Sequence, residues 1–109
     1  MTYNKNLSLR INKLLAENPA LVEKKMFGGV GYLLQGNMAC GVNKDDLIVR
    51  IGPESYGQAV IRPHVRPFDI TGRPMKGWIL VSPAGYNADE DLSAWVEQGV
   101  SFALSLPAK

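Results

Sequence analysis

The sequence predicts an α+β domain, a two-layer sandwich of helices on a mainly antiparallel sheet in the order α-β-β-β-β-α-β-β-α. Three observations carry this. Apolar residues recur at helical spacing near both ends and in one short middle stretch. Between them lie short apolar runs joined by turns too brief for the crossover that a parallel pair needs. The chain has 109 residues and 46% hydrophobic content, enough for one core and too short for two.

Leu7, Ile11, Leu14 and Leu15 share one helical face, while Lys5, Arg10, Lys13 and Glu17 take the other positions. Asn18-Pro19 ends this helix, because the residue before proline is pushed out of the helical region. Strands are expected at Glu23–Phe27, Gly31–Leu34, Met38–Val42 and Leu47–Ile51, the last three separated by Gln35-Gly36-Asn37 and Asn43-Lys44-Asp45-Asp46. In the fourth, Leu47, Val49 and Ile51 point one way while Ile48 and Arg50 point the other. Gly52-Pro53-Glu54 reads as a helix start, with proline in the first turn and an acid at the positive end of the dipole. That helix runs to about residue 60 or 61 with Tyr56, Ala59 and Val60 inward, and Gly57 weakens it.

Residues 62–77 are irregular, with a broken or edge strand over Val65, Phe68 and Ile70 because proline is confined to such places. Trp78–Ser82 is a strand stopped at Pro83. The closing helix carries Leu92, Trp95, Val96, Gly99, Val100, Ala103 and Leu104 on one face, is capped by Asn87 or Asp89, and stops at Pro107. All of 1–109 is one domain without internal repeat or linker.

Composition bounds the function classes. The formal charge is +2, from 12 basic and 10 acidic residues, less than a domain that lives on phosphates usually carries. One cysteine, Cys40, excludes an intrachain disulfide and fits a reducing compartment. The polar start MTYNKNLSLR and the lack of a long apolar run predict a cytoplasmic protein with no membrane contact.

The candidate chemical groups have structural readings beside the functional ones. Met26-Phe27-Gly28-Gly29-Val30-Gly31 lacks the Lys-Ser/Thr of a phosphate loop and is followed by a strand, so it reads as a bulge or tight turn where glycine allows positive φ. Cys40 sits in an apolar run and reads as a small core residue. Its pairing with His64 as nucleophile and base is a remote enzymatic alternative. Neither residue makes a metal site, and no cofactor is expected. Asp45-Asp46 and Asp89-Glu90-Asp91 suit a turn and a helix start. The segment from Arg62 to Lys76 holds Arg62, His64, Arg66, Arg73 and Lys76 against the single acid Asp69. It reads either as a docking surface or as a solvated loop whose arginines pair locally.

Lys25-Met26-Phe27-Gly28-Gly29-Val30-Gly31, Gly36-Asn37-Met38-Ala39, Gly72-Arg73-Pro74-Met75 before Trp78-Ile79-Leu80-Val81-Ser82-Pro83, and Leu92-Ser93-Ala94-Trp95-Val96 resemble the N-terminal domain of the TfoX/Sxy family. The likeness spans roughly Lys24 to Ala103, and Met26, Phe27, Gly28, Gly29 and Gly31 are its signature. It implies a fold like that of the small dimeric chaperones of type III secretion. The family's longer members are bacterial competence regulators that act as transcription coactivators, with a further C-terminal domain that a chain ending at Lys109 is expected to lack. The resemblance implies a non-enzymatic regulatory domain with a protein partner, a transcription regulator or a second copy of itself, and supplies no catalytic residues. Nucleic-acid binding through residues 62–76 and the basic residues of the first helix is the alternative.

Overall fold

The computed structural model describes residues 3–16, 18, 21–26, 29–69, 72 and 75–107, with Met26 by its backbone alone. Helix α1 (Lys5–Leu15) is followed by strands β1 (Leu21–Met26), β2 (Gly29–Leu34), β3 (Asn37–Asn43) and β4 (Asp46–Arg50), then helix α2 (Pro53–Val60). Strands β5 (Val65–Pro67) and β6 (Trp78–Val81), the short helix α3 (Pro83–Tyr86) and the long helix α4 (Asp89–Ser105) complete the order. The expected sequence of elements therefore stands, with one addition: Pro83 both ends β6 and opens α3, since its fixed φ suits a first helical turn.

The six strands form one antiparallel sheet in the order β1-β2-β3-β4-β6-β5. Val30, Tyr32, Cys40, Val42, Leu47, Val49, Ile79 and Val81 alternate onto one face, where they pack with Leu7, Ile11 and Leu15 of α1 and Leu92, Trp95 and Val96 of α4. Met38, Ile48 and Leu80 alternate onto the other, where Phe68, Met75 and Trp78 cover them. The second face is thus partly roofed by the irregular segment after β5, which explains why Ile48 is apolar although it points away from the helices. Arg50, on that same face, stacks its guanidinium 5.0 Å from the Trp78 ring centroid and 5.4 Å from that of Phe102.

Helix α1 departs from its simple amphipathic reading at two places. Leu14 is 42% exposed rather than buried, because α4 lies beside α1 and leaves that residue at the mouth of the cleft between them. Ser8 is buried in its stead, and its hydroxyl lies 2.6 Å from the Tyr32 hydroxyl. Asn12 donates to the Tyr32 hydroxyl and to Glu23 Oε1, so the polar groups under the helix are satisfied by one another. At its start, Asn4 accepts from the Leu7 N–H as the cap.

Helix α2 begins as expected, with Gly52 at φ +87° before Pro53, but only Ala59 of its inward set is buried. The cap of α4 differs from the expectation: Ala88 holds that position, with no side-chain bond. Asp89 instead pairs with Arg10 at 2.9 Å, and the same guanidinium nitrogen donates to the carbonyls of Asn87 and Tyr86. A cation from α1 replaces a cap and ties the two helices together. Leu104, expected inward, is 47% exposed, while its neighbour Ala103 takes the inward place against Leu34 of β2 and Ala39 of β3. Among the described residues no helix is long and apolar enough to cross a membrane.

Candidate interaction surface

The segment after α2 runs along the β5 edge of the sheet, so its basic residues are placed by how three neighbouring elements meet. Arg62 leaves the last turn of α2 and lays its guanidinium 4.3 Å from the Trp95 ring centroid, on the helix-covered side. The Trp95 indole N–H donates to the Gly85 carbonyl 3.1 Å away, which fixes the ring that Arg62 stacks on. His64 is exposed, holds φ +68°, and its carbonyl accepts from the Ser82 N–H at 2.8 Å. Arg66 is opposite Leu80 in the β5–β6 ladder, so it faces the side of the sheet away from the helices. There it forms an ion pair with Asp46 and donates to the Ser82 hydroxyl. That bond to Asp46 holds the Arg66 guanidinium above even its ordinary high pKa.

The described basic positions therefore do not make one continuous patch. Arg62 and Arg66 lie on opposite faces of the edge, each engaged by a protein partner. Lys76 is exposed on the turn into β6, and Arg73 lies outside the described residues, as does Ile70 of the expected edge strand. Arg10 of α1 is committed to Asp89, while Lys5 and Lys13 are exposed. At the start of this segment Ile61, the C-cap of α2, is 82% exposed beside Arg62. Its proximity to basic residues is legible in the string Ile61-Arg62-Pro63-His64, but its exposure depends on where α2 stops.

The glycine-rich string joins β1 to β2, and the two strands pair out to Met26 opposite Gly29. Phe27 and Gly28 lie outside the described residues. The expected positive φ is corrected for Gly29 and Gly31. Gly29 and Gly31 are not among the positive-φ residues, and the register shift falls later, between Tyr32 and Leu33. A Cβ at Gly29 would stand 1.9 Å from the Val42 carbonyl oxygen, so glycine is required there by close backbone approach. Gly31 lies opposite Gly41 in the next strand, on the face away from the helices.

Cys40 has no exposed surface, whereas His64 is exposed on a loop, so the structure does not assemble the Cys40–His64 pair. Burial pushes the Cys40 thiol up to about 12 from 9.0, and burial likewise raises the Tyr32 phenol. A group whose folded pKa is raised stabilises fully below its unfolded pKa, and that contribution is lost as pH climbs toward the folded one. Stability is therefore expected to fall between about pH 9 and pH 12, by up to about 4 kcal/mol from Cys40 alone. Denaturant midpoints from pH 8 to 11 check this: Cys40→Ala should flatten the decline, and parallel declines in both proteins would refute it.

A six-stranded antiparallel sheet with helices packed on one face defines an α+β domain. The chain belongs to the TfoX N-terminal domain family, whose model matches residues 13–103. The match extends beyond the quoted motifs into the last three residues of α1, Lys13 to Leu15. No curated protein and no solved structure matches the chain.

Proposed function

We propose that this chain is a cytoplasmic, non-enzymatic binding domain that docks a protein partner in a regulatory assembly, in keeping with the competence-regulator character of its family. The observation that carries the reading is Ile61: a large aliphatic side chain, 82% exposed, next to Arg62 and close in sequence to His64. An apolar anchor rimmed by cations suits a partner that offers a hydrophobic socket with acidic walls. Supporting it, Arg62 is held in place by its stack on Trp95, so the rim is ordered before a partner arrives.

The nucleic-acid alternative is less well supported, because Arg10, Arg62 and Arg66 are each engaged within the protein rather than aligned along one groove. Charge reversal at Arg66 is a poor probe, since it would set a glutamate against Asp46. Ile61→Asp is the better one: the position is so exposed that the change should alter stability by no more than about 0.5 kcal/mol. Loss of the partner from an otherwise folded Ile61→Asp chain is the expected outcome in quantitative affinity purification.

A further inference from the structure

The sheet has two edges, and they differ. At one, β5 is three residues long and ends in Pro67, which shortens and blocks it. At the other, β1 is six residues long and pairs only with β2 among the described residues, and Val22, Glu23, Lys24 and Lys25 are all exposed. Such a strand presents a row of unpaired backbone N–H and C=O groups. Each side of the edge also carries one exposed apolar residue beside its charges. Val22 is 56% exposed on the face away from the helices. Leu9 is 62% exposed on α1, one turn before Asn12, whose bond to Glu23 shows that this flank of the helix overlooks β1.

We infer that β1 is the contact through which two copies of this chain join, antiparallel and about a twofold axis at Lys24, into one continuous twelve-stranded sheet (six strands from each copy). Charge complementarity within the strand favours that register. In an antiparallel pair related by a twofold axis normal to the sheet, opposed residues share a face, so position numbers must sum to an even value. A sum of 46 sets Glu23 against Glu23 of the second copy, a like-charge pair. A sum of 48 sets Glu23 against Lys25 and Lys25 against Glu23, on the helix-covered face, and brings Val22 opposite position 26 on the other. The self-opposed Lys24 is the one like-charge contact, and this register, unlike the other, offsets it with two Glu23–Lys25 pairs. The two Leu9 flanks then approach each other above the joined strands. The partner surface around Ile61 stays free, because it lies at the opposite edge of the sheet.

The inference is independent of the proposed docking function and is tested separately, by sedimentation equilibrium of the full chain. The wild type is expected to be a dimer. Glu23→Lys and Lys25→Glu each place like charges at two symmetric positions and should weaken dimerisation at least about tenfold. Lys25→Glu leaves the Asn12 contact untouched, so it separates the interface from α1 packing. The double exchange Glu23→Lys/Lys25→Glu restores opposite charges and should restore the dimer, with circular dichroism confirming the fold of each variant. A monomeric wild type, or a dimer that ignores the single exchanges or is not recovered by the double one, would overturn it.

Discussion

Trp95→Ala is expected to cost about 3–5 kcal/mol of folding stability, measured as a lowered denaturant midpoint with an unchanged slope. Trp95 is 4% exposed in the main core cluster and holds three things at once. Its ring fills the space between α4 and the sheet, its N–H satisfies the Gly85 carbonyl, and its face carries the Arg62 guanidinium. Truncation leaves a cavity, an orphaned carbonyl and an arginine without its platform. Against a total stability of order 5–15 kcal/mol, that leaves a protein close to its folding threshold. A loss below about 1 kcal/mol would mean that the helix layer does not depend on this side chain. Trp95→Phe should retain most of the packing while losing the N–H bond, and so fall between wild type and alanine.

Gly99→Ala is expected to destabilise, although alanine in a helix interior ordinarily gains about 0.5–1 kcal/mol over glycine. The methyl group would stand 2.3 Å from the Ala39 carbonyl oxygen and 3.1 Å from its carbonyl carbon, both backbone atoms of β3 that cannot swing aside. Either α4 lifts from the sheet or β3 bends, at a cost of about 1–3 kcal/mol or more. Gly57→Ala in α2 is the matched control: nothing lies within 4 Å of the added methyl, so there the ordinary gain should appear. Thermal melts of the two variants should move in opposite directions. Parallel shifts would show that α4 does not approach β3 as closely as described.

Periodicity made both long helices, the β3–β4 hairpin and the Pro53 helix start visible in the sequence, because each is dictated by neighbours a few residues away. It could not show Leu14 exposed and Ser8 buried, since that depends on α4 crossing beside α1 and on a tyrosine in β2. Nor could it show β6 inserted between β4 and β5, a pairing of strands that are not consecutive. The candidate surface was legible only as a cluster of charge. That Arg66 faces Asp46 while Arg62 stacks on Trp95 follows from tertiary contacts, and these split the cluster between two faces. The glycine string was recognisable as a signature and a strand junction. Its physical reason, the carbonyl of Val42 against Gly29, belongs to the neighbouring strand.

The most direct measurement is quantitative affinity purification from native cells, with wild type and Ile61→Asp as parallel baits, each with and without nuclease. Ile61 is exposed, so matching melting curves should establish that the two baits are equally folded. The predicted result is a partner protein recovered with the wild type regardless of nuclease and reduced at least about tenfold with the variant, which corresponds to about 1.4 kcal/mol. Equal recovery by both baits, or recovery abolished by nuclease, would contradict a protein-docking surface centred on Ile61.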